Sequence, residues 1–325
     1  MAILVTGGAG YIGSHVVKEL LDNNEDILVL DNLETGHEKA VLGGKLLIGD
    51  LRDDEFMTRV FRENQIEGII HFAANSLVGE SMINPYKYYE NNVYGTLCLL
   101  KQMTDHNVNK IVFSSTAATY GNPVEIPIKE DNILNPTNTY GETKLAMENM
   151  FKWFNKIHGI DYISLRYFNA AGAEESGRIG EWHRPETHLI PNILRAAINN
   201  ESIKIFGDDY PTKDGTCVRD YIHVTDLSKA HLLAFNHLRK GKGSYIFNLG
   251  TQQGFTVREV IDVTKKVLGV DMTVEIMDRR PGDPPVLIAS SEKIKKDLGW
   301  EPKYSNMENI ISTAWNFMKN HPNGY

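Results

Sequence analysis

The sequence predicts an α/β protein with a doubly wound parallel sheet and a smaller, mixed α/β C-terminal domain. Over the first 170 residues, short apolar runs alternate with amphipathic helical patterns, as in parallel sheets that carry helices on both faces. A glycine-rich turn separates the first apolar run from the first helical pattern. Beyond residue 170 the alternation gives way to segments that contain glycine, glutamate and proline. We therefore expect two domains, formed by residues 1–170 and mainly by residues 171–325.

Strand-length apolar runs and helical periodicity define the individual elements. The strands of the first domain are predicted at residues 3–5, 27–30, 46–48, 69–72, 111–113 and 162–165, and its helices at 12–22, 53–64, 86–106 and 140–158. In the second domain the pattern predicts a strand at Ile203–Phe206 and helices near 190–199, 226–239 and 256–268. Segments near 215–250, including a strand at 245–248, are expected to return to the first sheet.

Composition argues against several classes of protein. The 325 residues are 42% hydrophobic, which is enough for a sizeable core. The net charge of -8, without lysine and arginine runs interleaved with aromatics, argues against a nucleic-acid partner. No apolar stretch has the length of a membrane span, and the N-terminus lacks the features of a secretion signal, so we expect a soluble, cytoplasmic protein. Cys98 and Cys217 have neither disulfide nor metal-ligand spacing, and no metal site is predicted.

The turn after the first strand predicts a dinucleotide site. Gly7, Gly10 and Gly13 follow the apolar run and open the first helix. Glycines at such positions let the backbone approach a pyrophosphate, which free N–H groups at the helix N-terminus stabilise. Asp31 ends the second run, where a carboxylate accepts hydrogen bonds from the 2'-hydroxyl of an adenine ribose and repels a 2'-phosphate. The pattern therefore favours NAD over NADP as the cofactor. It also favours a cofactor-binding role for this turn over a purely structural one.

Two further polar residues have two interpretations each. Asp50 ends the third run, where it either contacts the adenine amine or caps the helix that begins near Asp53. Asn91 lies in a polar patch of the long helix at 86–106, and its amide either orients the cofactor or faces solvent.

A tyrosine and a lysine four residues apart, Tyr140 and Lys144, share one face of the helix predicted at 140–158. A phenol titrates near ~10 in water, so it is a useful base only where a positive charge, such as that of Lys144, stabilises its phenolate. Thr116 follows the fifth strand, and its hydroxyl can bridge a substrate alcohol and the phenol. On spacing alone Tyr140 and Lys144 are ordinary surface residues. Together with Thr116 and the nucleotide turn, they predict oxidation of an alcohol by NAD.

The motifs Gly7-x-x-Gly10-x-x-Gly13 and Tyr140-x-x-x-Lys144 resemble the two signatures of extended short-chain dehydrogenases. Within this family the chain is most similar to the NAD-dependent epimerases and dehydratases of nucleotide sugars. The resemblance covers nearly the whole chain and includes residues 72–74, 78–81, 166–169, 185–191, 210–216, 219–224 and 280–283. It implies a Rossmann-like fold, tightly held NAD, UDP-galactose and UDP-glucose as substrates, and a homodimer formed through the helices near 86–106 and 140–158.

The resemblance also implies roles for individual residues. The expected catalytic residues are Tyr140, Lys144 and Thr116. The expected cofactor-binding residues are Gly7, Gly10, Tyr11, Ile12, Gly13, Asp31, Asn32, Asp50, Leu51, Phe72, Ala73, Ala74, Asn91, Ser114, Tyr140, Lys144 and Phe168. The expected substrate-binding residues are Thr116, Tyr140, Asn169, His188, Leu189, Arg219, Arg280, Asp283 and Leu287.

Among the expected substrate residues, the two arginines suit a diphosphate through bidentate bonds. From the residues alone, Arg219 and Arg280 are equally suited to structural salt bridges. Asp283 suits the hydroxyls of the uridine ribose, and His188 flanks the uracil region by resemblance. Leu287 stands where the family has a residue that gates N-acetylated sugars, and leucine lacks the bulk of tyrosine.

The residues after Thr116 narrow the reaction. Related dehydratases carry an Asp-Glu pair there as acid and base, whereas this chain has Ala117 and Ala118. Without these groups a 4-keto sugar has few reactions open to it other than regaining its hydride. Return of the hydride to the opposite face inverts C4. We therefore expect reversible C4 epimerisation, with Leu287 admitting UDP-N-acetylhexosamines at a lower rate. The alternatives are a UDP-uronate epimerase or decarboxylase and a non-catalytic NAD-bound sensor.

Overall fold

The computed structural model describes residues 1–241, 243–280 and 283–325. In chain order its strands are β1 (Ala2–Thr6), β2 (Ile27–Asp31), β3 (Lys45–Ile48), β4 (Ile66–His71), β5 (Lys110–Thr116), β6 (Asp161–Tyr167), β7 (Asn169–Ala171), β8 (Ile203–Phe206), β9 (Val218–Arg219), β10 (Tyr221–His223), β11 (Tyr245–Leu249), β12 (Phe255–Thr256), β13 (Val274–Met277) and β14 (Val286–Leu287).

The helices predicted at 12–22, 53–64, 140–158, 190–199, 226–239 and 256–268 begin and end within two residues of those positions. The helices at Val78–Ile83, Glu292–Leu298 and Met307–Asn320 were not predicted. In chain order the helices are α1 (Tyr11–Asp22), α2 (Asp54–Glu63), α3 (Val78–Ile83), α4 (Pro85–Tyr88), α5 (Gly95–Asp105), α6 (Thr139–His158), α7 (Leu189–Asn199), α8 (Val224–Arg239), α9 (Val257–Leu268), α10 (Glu292–Leu298) and α11 (Met307–Asn320). Within the described ranges, no helix combines the length and the apolarity that crossing a membrane requires.

Seven strands form one parallel sheet in the order β11-β6-β5-β4-β1-β2-β3. From β1 the chain first builds outward to β3, then returns to β4 on the other side of β1 and continues to β6. This reversal leaves a crevice at the carboxyl ends of β1 and β4, where such sheets bind ligands. The predicted doubly wound parallel sheet is therefore confirmed, and β11 from the second half of the chain forms one edge.

Apolar side chains cover the sheet on both faces. All five residues of β1 are buried, as expected for a strand with helices above and below it. Val17 of α1 and Leu227 of α8 belong to the core on one face. Met57 of α2, Leu99 of α5 and Phe151 of α6 belong to the core on the other. The amphipathic helical patterns of the sequence account for this arrangement.

The other strands form small sheets beside the carboxyl edge of the main sheet. β8 pairs with β13, β7 pairs with β10, and β12, β9 and β14 form a three-stranded sheet. A third core includes Ile193 of α7, Val260 of α9 and Ile310 of α11. These elements bring Asn169, Arg219 and Leu287 to the cavity described below.

The helix predicted at 86–106 is not continuous. α4 is followed by a π-helical turn at Tyr89–Tyr94 before α5 begins. Inside this turn the buried amide of Asn92 accepts a hydrogen bond from Asn75 N at 2.8 Å and donates to Asn75 O at 3.0 Å and to Thr143 Oγ1 at 3.1 Å. The insertion turns Asn92 toward these partners, and such π-turns are frequent at functional sites.

A buried ion pair fixes α6 against the sheet. Glu148 of α6 accepts hydrogen bonds from Arg166 Nε at 2.9 Å and Arg166 Nη2 at 2.6 Å, and both side chains are almost fully buried. Ser115 of β5 donates to the same carboxylate at 2.6 Å. Arg166 lies on β6 and donates to the Tyr120 hydroxyl at 2.9 Å. One carboxylate thus connects α6 to two neighbouring strands.

We expect Glu148→Leu to lower the free energy of unfolding by about 3–5 kcal/mol, because it leaves the Arg166 guanidinium buried without its charge partner. Urea denaturation followed by circular dichroism measures the change. The double variant Glu148→Leu with Arg166→Met should recover much of the loss, since it removes both charges. A double variant as unstable as Glu148→Leu would show that volume, rather than unpaired charge, dominates.

Candidate active site

The carboxyl ends of the main strands border a cavity of about 1540 Å³. All the residues expected to bind cofactor or substrate, or to act in catalysis, line this cavity. They come from both halves of the chain, from Gly7 after β1 to Leu287 of β14. Pro281 and Gly282, which belong to the turn before Asp283, lie outside the described residues.

The glycine turn has the geometry that a dinucleotide site requires. Gly7 has a positive φ of 71°, and a Cβ there would lie 2.5 Å from Ala73 N. A Cβ on Gly13 would lie 2.2 Å from Gly7 O, so the turn and α1 pack too closely for any other residue. α1 has no side-chain cap and no acidic residue in its first turn. Its free N–H groups and positive end therefore suit the diphosphate of NAD.

Asp31 lies buried at the end of β2, beside the glycine turn. Its carboxylate accepts hydrogen bonds from Ala9 N and Leu33 N, each at 2.9 Å. Burial raises the pKa of Asp31, and the two backbone donors offset part of that rise. Each carboxylate oxygen keeps a second lone pair, so the group can still accept bonds from ribose hydroxyls.

Asp50 does not cap a helix, so the interpretation of Asp50 as the cap of the helix that begins near Asp53 is wrong. The cap of α2 is Asp53, which accepts a hydrogen bond from Phe56 N at 3.0 Å. Asp50 instead accepts two bonds from the Arg52 guanidinium, at 2.8 and 2.7 Å, and one from Asn32 Nδ2 at 3.1 Å. Hydrogen bonding by Arg52 lowers the pKa of Asp50 to about 2. It therefore lines the cavity as a carboxylate already paired with Arg52.

Lys144 of α6 is buried beside the carboxyl end of β5. Its Nζ donates to Ser114 O at 2.9 Å and lies 4.8 Å from the centre of the Phe113 ring and 5.9 Å from that of the Tyr140 ring. Burial lowers the pKa of Lys144 to about 7, although the charge of Glu148 acts in the opposite direction. The ammonium is therefore only partly populated at neutral pH in the ligand-free protein.

Tyr140 has the opposite shift. Burial raises the pKa of its phenol to about 12, and hydrogen bonding with Thr116 offsets part of that rise. Thr116 is buried at the end of β5, and its Oγ1 accepts a hydrogen bond from Ala118 N at 3.2 Å. Without ligands, then, the phenol keeps its proton, and proton transfer through it requires a change in the local field.

At the substrate end, Arg219 forms a salt bridge, which is the structural role that the sequence left open beside diphosphate binding. Its Nη2 donates to Asp283 Oδ1 at 2.8 Å, and its Nη1 donates to Val218 O at 2.9 Å. The guanidinium of Arg280 lies 4.0 Å from the centre of the Phe206 ring. Both charged groups line the cavity, and their remaining donors suit a diphosphate.

Asn91 lines the cavity rather than facing bulk solvent. It belongs to the π-helical turn, and its Nδ2 donates to Asn92 Oδ1 at 3.2 Å. The neighbouring Asn92, which the sequence did not single out, joins the turn to the segments that carry Asn75 and Thr143. Thr143 in turn donates to Tyr140 O at 2.8 Å. No local sequence signal marks Asn92, because its partners are distant along the chain.

The loop before α7 holds three residues that the sequence did not single out, Glu181, His183 and Glu186, beside the expected His188. His188, expected near the uracil, contacts Glu181 through its Nδ1. His183 and Glu186 lie beside them, and all four side chains line the cavity. The alternation Glu181-x-His183 and Glu186-x-His188 is the signal that could have drawn attention to this loop.

Comparison with known proteins defines the family. The family model described as the NAD dependent epimerase/dehydratase family matches residues 3–250. The UDP-glucose 4-epimerase of Halalkalibacterium halodurans is 58% identical over 100% of this chain and 98% of its own length. A crystal structure of a UDP-glucose 4-epimerase superposes with a TM-score of 0.98 at 52% identity, covering 100% of this chain and 99% of the other.

A second solved structure, the UDP-glucose 4-epimerase of Bifidobacterium longum in complex with NAD+ and UDP, is 39% identical. It has a TM-score of 0.94 and covers 100% of both chains. The chain thus belongs to the NAD-dependent epimerase/dehydratase family, as the glycine turn and the Tyr140-Lys144 pair predicted.

The lowered pKa of Lys144 predicts a specific pH dependence of stability. The unfolded chain keeps the Lys144 proton up to about pH 10.5, whereas the folded protein loses it above about pH 7. The contribution of Lys144 to the free energy of unfolding therefore rises with pH between these values. In nucleotide-free protein, Lys144→Met should therefore be more stable than wild type below pH 7. The gain should be roughly 2–5 kcal/mol, because one pKa unit corresponds to about 1.4 kcal/mol.

Urea denaturation of both proteins at several values between pH 6 and pH 10 measures this difference, which should narrow as pH rises. Lys152→Met, on the exposed side of α6, is the matched control and should show no such pH-dependent gain. A Lys144→Met variant that is less stable at pH 6, or a gain that does not vary with pH, would contradict the prediction.

Proposed function

We propose that this protein catalyses the reversible C4 epimerisation of UDP-galactose and UDP-glucose with bound NAD. The observation that carries the proposal is the meeting of Thr116, Tyr140 and Lys144 with the glycine turn in one cavity. Full-length similarity to UDP-glucose 4-epimerases, one of them crystallised with NAD+ and UDP, supports both ligands.

Each catalytic side chain has a role that follows from its position. When bound, NAD supplies a positively charged ring that accepts a hydride from the sugar and gives it back. Tyr140 takes the proton of the C4 hydroxyl and later returns it, and Thr116 holds that hydroxyl in place. The protonated form of Lys144 lowers the pKa of the phenol, and it would hold the cofactor ribose when NAD is bound. A positive charge near the phenol is needed because burial alone raises its pKa to about 12.

The residues after Thr116 favour epimerisation over dehydration. Ala117 and Ala118 form a short helical turn and line the cavity, and neither can transfer a proton. The keto sugar therefore has no acid to expel a neighbouring hydroxyl and no base to remove a carbon-bound proton at this place. Return of hydrogen to the other face of C4 is the outcome that these residues permit.

The decisive experiment is the stoichiometry of the reaction. Purified protein should convert UDP-galactose to UDP-glucose without added NAD and without accumulation of NADH, since the reaction has no net redox change. Chromatography of the sugars and absorbance of the cofactor measure both quantities. Turnover that consumes an added oxidant would contradict epimerisation. A panel with UDP-glucuronate tests the uronate alternative, and absence of turnover on every UDP-sugar would favour the sensor.

Tyr140→Phe should keep the fold and bound NAD but lose activity on the order of 10² to 10⁴ fold, the contribution of a positioned acid or base. The measurements are circular dichroism, released NAD and the rate with UDP-galactose. Tyr304→Phe, which removes a hydroxyl that accepts a hydrogen bond from Lys229 outside the cavity, is the control. Near-normal turnover by Tyr140→Phe would refute the role of the phenol.

Leu287 should set the tolerance for N-acetylated sugars, because it lines the cavity and, by resemblance, stands where the family has its gate residue. We expect slow turnover of UDP-N-acetylglucosamine by the wild type. Leu287→Tyr should abolish it and leave UDP-galactose turnover largely unchanged, since the added ring fills space that only the N-acetyl group needs. A wild type that turns over UDP-galactose but not UDP-N-acetylglucosamine would contradict this expectation.

We further propose a homodimer, with residues 1–170 mainly binding NAD and residues 171–325 mainly binding the UDP-sugar. Tyr94 and Leu97 near the start of α5, and Trp153 and Ile157 of α6, are 45–66% exposed, an apolar surface of the kind that subunit interfaces cover. Light scattering tests the dimer. A cytoplasmic location stays a prediction that cell fractionation tests.

A further inference from the structure

Four potential metal ligands meet in the loop that leads into α7. They are Glu181, His183, Glu186 and His188, and one ligand atom from each lies within 4.8 Å of all the others. Their spacing of two, three and two residues lets one loop deliver all four. Neither the nucleotide turn nor the proposed proton transfer through Tyr140 uses them as a group.

Two atoms of this cluster are buried without hydrogen-bond partners among the described residues. They are His183 Nδ1 and Glu186 Oε2. The side chain of Glu186 is only 1% exposed, and its other oxygen, Oε1, accepts from Thr187 N at 2.9 Å and His188 N at 3.0 Å. A buried carboxylate oxygen left in this way costs free energy unless something pairs with it.

The guanidinium beside that oxygen does not hydrogen-bond to it. Arg195 Nη2 lies 3.9 Å from Glu186 Oε2, beyond hydrogen-bond distance. The Arg195 guanidinium instead lies over the Trp182 ring, 4.6 Å from its centre. The backbone donors therefore orient Glu186 so that its free oxygen points toward His183, at 3.7 Å from Nδ1.

Distances in the cluster approach those of a tetrahedral site. Ligand atoms 2.0–2.2 Å from a central zinc ion lie about 3.3–3.6 Å from one another. His183 Nδ1 lies 3.4 Å from Glu181 Oε1 and 3.7 Å from Glu186 Oε2. The hydrogen bond between His188 and Glu181 is shorter, and an ion would replace its proton.

We propose that Glu181, His183, Glu186 and His188 bind a divalent transition-metal ion of the Zn²⁺ type. Two imidazoles and two carboxylates form a mixed nitrogen and oxygen set, which suits Zn²⁺ and its neighbours better than Ca²⁺ or Mg²⁺. The two carboxylate charges balance the ion. The site borders the cavity assigned to the nucleotide sugar but does not depend on that assignment.

The test uses the full-length protein without a histidine tag. After treatment with a chelator, the protein is incubated with excess ZnCl2, desalted and analysed for metal by mass spectrometry. One zinc ion per chain should remain. Replacement with CoCl2 should give the visible absorption of Co²⁺ bound to nitrogen and oxygen in a tetrahedral site, and a chelator should remove it.

Glu186→Gln and His183→Gln each remove one ligand while nearly keeping its shape. Each should weaken zinc binding by more than the roughly 10–100-fold lost when groups that only support a ligand are changed. The control variant, His158→Gln with Glu63→Gln, removes an exposed histidine and an exposed glutamate elsewhere and should bind normally.

Either of two results would overturn the proposal. In the first, wild-type protein retains no zinc after desalting and shows no cobalt spectrum, which would mean that the cluster holds protons shared between imidazoles and carboxylates. In the second, both single variants retain zinc as well as wild type, which would place the ion elsewhere. If a variant fails to fold, the chelator-reversible cobalt spectrum of the wild type still decides whether a tetrahedral site exists.

Discussion

The ion pair between Glu148 and Arg166 is the constraint on which the reactive end of the molecule depends. Glu148 stands one helical turn after Lys144 on α6, so the bonds that hold it to β6 and to Ser115 of β5 also set the depth of Lys144. A planar guanidinium and a carboxylate joined by two hydrogen bonds permit little sliding. The helix that carries Tyr140 and Lys144 is thereby held against the two strands that end at the cavity.

Placing an ammonium at this depth costs stability. Burial that brings the pKa of Lys144 to about 7 means that the folded state disfavours its charged form, which a surface lysine would keep at no cost. Ser114 O is its one hydrogen-bond partner given by the structure. The apolar cores on both faces of the sheet supply the free energy that offsets this burial. Such a cost at a cavity is typical of groups retained for function.

The sequence predicted the parts that depend on local periodicity. Strand and helix geometry alone determine where the glycine turn, Asp31 and the Tyr140-Lys144 pair lie, so neighbouring residues in the sequence suffice to predict them. The interruption before α5 could not be predicted, because Asn92 bonds to Asn75 and Thr143, which lie 17 and 51 residues away. The family model spans both the locally determined residues and those, such as Asn92, with distant partners. Periodicity describes only the locally determined ones.

The two ends of the cavity differ in how deeply their side chains are buried, and the difference bears on how a sugar turns over. At the reactive end, Thr116 and Lys144 are buried on a strand and a helix that the sheet holds in place. At the other end the charged groups lie on short strands and turns, and Asp283 is 35% exposed. A ring that must present both faces to one fixed phenol cannot itself be held tightly. In the proposed reaction the binding energy has to come from the nucleotide, for which we propose Arg219 and Asp283 as partners, and the sugar rotates beside Ala117 and Ala118.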